Sequence, residues 1–181
     1  SNSYFFKTDL SNLNNIHKSF QMFEKKFRSV HSLINCAGVT FPGSSINYRL
    51  DKWEKSISIN LTAPFVLSQM VAKNMIKNKI KGSILNITSI GAELAFPDNP
   101  GYQSTKAALK HLTKSMAYDF SKYNIRVNSL APGYTVTPMN KKSYQNKSLR
   151  KKRANKSMLN RWANPKEIAE TALFLISNKS S

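Results

Sequence analysis

Ser83-Ile84-Leu85-Asn86-Ile87-Thr88-Ser89, then Tyr102-Gln103-Ser104-Thr105-Lys106 opening a helical run to about Lys122, then Ile125-Arg126-Val127-Asn128-Ser129-Leu130 closed by Pro132-Gly133: this stretch decides the fold. Two short runs rich in Ile, Leu and Val flank a helix of more than ten residues. Short buried strands joined by such helices form βαβ units and a parallel sheet.

The same alternation extends outward in both directions. Tyr4-Phe5-Phe6 predicts a short strand ending at Thr8-Asp9. Asp9 or Ser11 is the expected cap of a helix over roughly 12–28, with Leu13, Ile16, Phe20, Phe23 and Phe27 on one face. Ser32-Leu33-Ile34 is an apolar run that stops in Asn35-Cys36-Ala37-Gly38. Asp51 opens a helical pattern to about Lys79, interrupted at Pro64. Pro165 suits the first turn of a last helix to about Ile176. No repeat or interdomain linker is evident, so residues 1–181 are expected to form a single domain.

Composition limits the alternatives. The chain has 181 residues, 40% of them hydrophobic, enough for one packed core. No apolar run reaches the roughly 18 residues of a membrane span. Ser1 to Leu10 carries only a three-residue aromatic run, too short for a signal peptide. Cys36 is the only cysteine, which excludes an intrachain disulfide and suits a reducing, cytoplasmic setting. No metal-ligand set is expected.

The net charge of +19 would attract polyanions, although lysine enrichment spread over helix faces explains much of it. The densest segment runs from Asn140 to Arg161. It holds Lys141, Lys142, Lys147, Arg150, Lys151, Lys152, Arg153 and Lys156, and no acidic residue occurs between Asp119 and Glu167. Only Tyr144 and Trp162 interleave it, so base stacking along a single strand is not favoured. A binding module for nucleic acid or an acidic partner stays open as an alternative function, with nucleic acid the less favoured partner.

Tyr102 and Lys106, four apart on a helix, share one face. A phenol titrates near 10, so bringing it near 7 takes roughly three units, about 4 kcal/mol. A neighbouring ammonium shifts an acid by about one to three units. A bound oxidised nicotinamide, also positive, would supply the rest. The pair then fits proton exchange in an alcohol–carbonyl interconversion.

Ser89 stands at the carboxyl end of a strand, where parallel sheets bind ligands, and its hydroxyl can bond a substrate oxygen as charge develops. Asn35-Cys36-Ala37-Gly38 also ends a strand, and its small residues admit a flat ligand. Asn60 lies four residues before Pro64, whose ring clashes with its carbonyl and whose missing N–H leaves that carbonyl unpaired. A kink is expected there, with an ordered water as partner.

Taken together these motifs resemble the short-chain dehydrogenase/reductase family. Asn35-Cys36-Ala37-Gly38 is similar to its Asn-Asn-Ala-Gly element. Ser89 and the Tyr102-x-x-x-Lys106 pair match its catalytic serine and Tyr-x-x-x-Lys motif, and Asn60 its fourth catalytic residue. Asp9-Leu10 looks like the pair that contacts adenine. Pro132, Gly133, Thr135 and Thr137 look like the turn holding the nicotinamide end. Arg161-Trp162 and 165–168 resemble the helix start after the substrate loop.

The resemblance implies an α/β, partial Rossmann-type doubly wound parallel sheet with flanking helices, and a basic substrate-side lid over about 138–161. It implies catalytic Asn60, Ser89, Tyr102 and Lys106. Cofactor contacts are implied at Asp9, Leu10, Asn35, Ala37, Gly38, Tyr102, Lys106, Pro132, Gly133, Thr135 and Thr137.

The implied reaction is NAD- or NADP-dependent interconversion of a ketone and a secondary alcohol. The subgroup includes 3-oxoacyl-(acyl carrier protein) reductases, so a carrier-linked substrate is one expectation, and a homodimer or homotetramer the expected assembly. The family's glycine-rich turn is absent from these 181 residues. The chain is therefore expected to be a fragment lacking the first strands and the last, to bind dinucleotide poorly alone and to be unstable or aggregate. An inactive truncated product is a further alternative.

Overall fold

The computed structural model describes residues 3–181. Three strands, β1 (Ser32–Asn35), β2 (Ser83–Ile87) and β3 (Arg126–Leu130), form a parallel sheet in the order β1-β2-β3. Ile34 registers with Leu85 and Leu85 with Asn128, so the three carboxyl ends finish along one edge. The helices are α1 (Leu13–Phe27), α2 (Leu50–Ile57), α3 (Ala63–Lys77), α4 (Pro100–Ser121), α5 (Lys141–Gln145), α6 (Lys147–Ala154) and α7 (Pro165–Ile176).

Side chains alternate across a strand, so β2 has two faces with different partners. Ile84 lies in the main core with Phe20 of α1, Val71 and Met75 of α3 and Met116 of α4. Asn86 points the same way, to α3 and α4. Ser83 faces the other side, where its hydroxyl donates to Leu175 O of α7 at 3.3 Å. Helices therefore cover both faces, the doubly wound arrangement that buried parallel strands require. The expected βαβ order and fold class hold.

Local chemistry sets the helix ends. α7 starts at Pro165 behind a capping box: Asn164 Oδ1 accepts from Lys166 N at 2.9 Å, and Glu167 returns a carboxylate to Asn164 N at 2.7 Å. The cap of α1 is neither Asp9 nor Ser11 but Asn12, whose side chain accepts from Asn15 N at 3.2 Å. Asp9 instead closes an Asx turn on Ser11 N at 2.9 Å. Leu13 is exposed, because the first turn of α1 projects beyond the core that buries Ile16 and Phe20.

The expected strand at Tyr4-Phe5-Phe6 is not formed. A strand requires a ladder partner, and none pairs with this segment among the described residues. Tyr4 packs edge-on against Phe27 of α1 at 5.1 Å, with Lys26 Nζ 3.9 Å from its ring centre.

The pattern from Asp51 to Lys79 is interrupted as expected, but by a π turn over Ser58–Thr62 that joins α2 to α3. Ala63 N reaches back five residues to Ser58 O. Pro64 has no N–H to offer Asn60, and the wider turn relieves the crowding its ring would cause.

Candidate active site

The four residues singled out by their chemistry meet at the carboxyl edge of the sheet. Asn60, on the π turn, is fully buried. Its Nδ2 donates to Val39 O at 2.9 Å and to Thr105 Oγ1 at 3.1 Å, and its Oδ1 accepts from Val39 N at 2.8 Å. Thr105 is next to Lys106, whose Nζ donates to Ile87 O, the last residue of β2, at 2.7 Å.

Gly38 lies between them. A Cβ there would sit 3.4 Å from Asn60 Oδ1 and 3.6 Å from Lys106 Nζ, so glycine keeps a side chain from packing against both groups. Ser89, two residues beyond Ile87, accepts from Gly91 N at 3.0 Å, which leaves its own O–H free to donate. The Tyr102 ring centre is 5.8 Å from Lys106 Nζ.

The electrostatics differ from the sequence expectation. Burial pushes the Tyr102 phenol above its ordinary value, and the Ser89 hydroxyl opposes that in part. Lys106 is not among the causes; its ammonium donates to Ile87 O. Its own environment dominates: burial lowers Lys106 from 10.5 to about 8, with Cys36 acting weakly the other way. At neutral pH the phenol is held protonated and the lysine remains mostly an ammonium.

The residues expected at the cofactor are placed unevenly. Leu10, Asn35, Cys36, Ala37, Ile59 and Pro64 line a small cleft of about 100 Å³ beside the end of β1. The Asn35 amide does not face a ligand. It donates to Asn86 Oδ1 at 2.8 Å and Ser68 Oγ at 3.1 Å inside the core. Asp9 is exposed, with one carboxylate oxygen taken up by Ser11.

Pro132 O accepts from Ile90 N at 3.1 Å and ties the turn after β3 to the Ser89 loop. Gly133 is open, with nothing within 4 Å of where a Cβ would be. Thr135 is buried and bonds Gly133 O at 3.2 Å, a structural position rather than an open contact. Thr137 precedes a short 3-10 turn and lies half-buried at the start of the basic segment.

Several positioning residues were not singled out from the sequence. Asn86 Nδ2 donates to Thr113 Oγ1 at 2.9 Å, so Asn35, Asn86 and Thr113 form a buried polar chain beneath the site. An asparagine inside the apolar run 83–87 was its only sequence signal. Gln103, beside Tyr102, bonds both backbone groups of Phe96, at 2.7 and 2.8 Å, and fixes the loop after Ser89.

The chain matches over residues 1–181 the family model described as Enoyl-(Acyl carrier protein) reductase. It is 34% identical over 157 residues to a 3-oxoacyl-(acyl-carrier-protein) reductase of Thermotoga maritima, covering 87% of this chain and 63% of that protein. It is 35% identical to an L-rhamnose 1-dehydrogenase (NADP(+)) of Thermoplasma acidophilum, covering 86% and 61%.

Among solved structures, a 4-hydroxyisoleucine dehydrogenase complexed with NADH superposes with a TM-score of 0.92 at 38% identity, over 95% of this chain and 71% of that one. A gluconate 5-dehydrogenase of Burkholderia cenocepacia, in complex with NADP and tartrate, gives 0.90 at 31% identity, over 95% and 67%.

This chain belongs to the short-chain dehydrogenase/reductase family. It spans 63% and 61% of the length of the two curated relatives named above. Among the described residues, no helix is long and apolar enough to cross a membrane.

Proposed function

We propose that this chain carries the catalytic half of an NAD(P)-dependent oxidoreductase that interconverts a ketone and a secondary alcohol. The observation that carries the reading is Lys106: only 4% exposed, bonded at 2.7 Å to the last carbonyl of β2, and facing the Tyr102 ring beside Ser89. A lysine held dry at the ligand end of a parallel sheet, next to a buried phenol, has few structural reasons to be there.

In the reductive direction Tyr102 donates its phenolic proton to the carbonyl oxygen. Its raised pKa suits a donor, which must be protonated when substrate arrives. Ser89 donates a hydrogen bond to the same oxygen and orients it. Lys106 would hold the cofactor ribose, and the Ser89 hydroxyl, which opposes the upward shift of Tyr102, favours the phenolate left behind. Asn60, whose carbonyl can take no hydrogen from Pro64, holds a relay water that returns a proton to the site.

The nicotinamide end of a dinucleotide fits the residues present, because Gly38 puts no side chain beside Lys106 Nζ and Gly133 leaves the turn after β3 open. A dinucleotide held there would supply the hydride. The relatives' names support carbonyl substrates ranging from 3-oxoacyl thioesters to sugar acids, and a homodimer or homotetramer is the assembly this reading carries.

The test is Tyr102→Phe in the full protein, assayed by nicotinamide absorbance with NADH and NADPH. Turnover should fall by roughly 10²–10⁴-fold, the range of one positioned acid–base group, with no change in the thermal melt. A rate equal to wild type would overturn the reading.

A further inference from the structure

The basic segment is not a loose tail. Its two ends are pinned together: Val136 N donates to Ala163 O at 3.0 Å, and Ala163 N to Tyr134 O at 2.9 Å. Between them the chain folds into α5 and α6 and returns on Trp162, which is buried and donates its indole N–H to Arg150 O at 3.0 Å. Trp162 stacks on Tyr134 and meets Tyr144 edge-on, both with ring centres 5.3 Å away, and Tyr134 lies 6.3 Å from Phe96. This aromatic row belongs to the site. Phe96 is held by Gln103 beside Tyr102, and a Cβ on Gly91 would touch both the Phe96 ring at 3.6 Å and Ser89 Oγ at 3.4 Å.

Three cations of the segment lie over rings of this row, the first being Arg150 over Tyr144 at 5.4 Å. Arg153 lies over Tyr134 at 5.2 Å and Lys156 over Phe96 at 5.5 Å. A cation on a ring face is attracted without being neutralised. Its N–H donors stay available, and among the described residues neither side chain donates a hydrogen bond or pairs with a carboxylate. The four ion pairs of the described chain lie elsewhere: Arg49–Asp51, Lys52–Asp51, Lys110–Glu93 and Arg161–Glu167. Glu93 and Glu167 are thus paired with other cations. Arg153 and Lys156 thus keep free donors over an aromatic row that reaches the Ser89 loop through Phe96.

We propose that Arg153 and Lys156 form an anion-recognition site on the substrate side, and that the carbonyl substrate carries a carboxylate or phosphoryl group that docks there. This inference rests on the oxidoreductase reading and narrows its substrate class. Arg suits a planar or tetrahedral oxyanion because its fork of donors matches two oxygens at once.

The test separates the two claims. Wild-type protein is titrated by calorimetry with succinate and, separately, with inorganic phosphate. Arg153→Gln/Lys156→Gln is titrated alongside a control, Lys147→Gln/Lys151→Gln, with equal loss of charge at cations not seated on the aromatic row. Saturable binding should appear in wild type, weaken by about tenfold in the first pair and persist in the control. Tighter succinate binding identifies a carboxylate, tighter phosphate binding a phosphoryl group.

Absence of saturable binding, or equal loss in both variants, overturns the site. If the Arg153 variant melts early, Lys156→Gln alone, at an exposed position, gives the same decision from a smaller loss. In turnover, a hydroxy acid should be preferred over its neutral amide through KM, and the first pair should erase that preference. Failure of the catalytic reading would show separately, as Tyr102→Phe turning over like wild type while the binding result stands.

Discussion

Replacing Lys106 with methionine should change how stability depends on pH, by an amount the structure sets. In the folded chain Lys106 titrates at about 8, against 10.5 when unfolded. Below about pH 8 the lysine is charged in both states, and the folded state carries the full cost of burying the ammonium. Between the two values the unfolded chain binds the extra proton, so stability rises with pH. Above 10.5 the group is neutral in both states and the burial cost is gone. The shift of two and a half units corresponds to about 3 kcal/mol.

Methionine keeps the stem and cannot titrate, so wild type should gain about 3 kcal/mol relative to Lys106→Met across that window. The bond to Ile87 O is lost in the variant and lowers its stability by about 1.5–3 kcal/mol near neutral pH. That offset leaves the pH slope unaffected. Urea denaturation of both proteins from pH 7 to 10.5 measures the difference, and the Tyr102 contribution cancels because both proteins contain it. A difference that stays flat across the window would refute the claim that a buried, desolvated ammonium stands at this position.

Other outcomes follow from single contacts. Gly101→Ala would place a Cβ 2.9 Å from Tyr48 Oη, which is tethered to Phe41 O at 2.8 Å, and 3.0 Å from Ser56 Oγ; a loss of about 1–3 kcal/mol in a denaturant melt is expected, with only partial recovery in Gly101→Ala/Tyr48→Phe. Asn86→Leu removes the acceptor of one Asn35 amide N–H and the donor to Thr113, while Asn35–Ser68 and Thr113–Leu109 O remain, so the melt should drop by the equivalent of about 1–3 kcal/mol; an unchanged melt would show the polar chain to be dispensable. The Glu167 carboxyl, held down by Arg161 and the Asn164 N–H, titrates at about 2. Its capping contribution should therefore be complete above 4.5 and fade as pH falls through about 2. A carboxyl-carbon NMR titration with a midpoint near 4.5 would contradict the bidentate pair.

What could be read from the sequence was what is local in the chain. The β2–α4–β3 unit is decided by apolar runs and helix-length spacing within about fifty residues. Ser89, Tyr102 and Lys106 lie within one such unit. Pro64 marked the interruption at Asn60 because its steric effect reaches only four residues back.

The parts that escaped depend on distant partners. Asn35 and Asn86 are 51 residues apart, and no pattern near either announces their bond. Phe96, Tyr134 and Trp162 looked like three unrelated aromatic residues until folding stacked them. Tyr4-Phe5-Phe6 has the composition of a strand, but composition supplies no neighbour to pair with. The Tyr102 phenol was expected to be tuned by Lys106. The three-dimensional surroundings reverse the direction, because desolvation outweighs the hydrogen bond from Ser89.

The bridge between Thr135 and Ala163 has a consequence for how such a chain can diversify. Because the excursion leaves and re-enters the scaffold at hydrogen-bonded neighbours, its length is nearly uncoupled from the cost of closing it: doubling a loop adds only about 0.6 kcal/mol. The stretch between those residues behaves as an exchangeable cassette. A transplanted sequence of another size could alter what is admitted while Ser89, Tyr102 and Lys106 beneath keep their alignment.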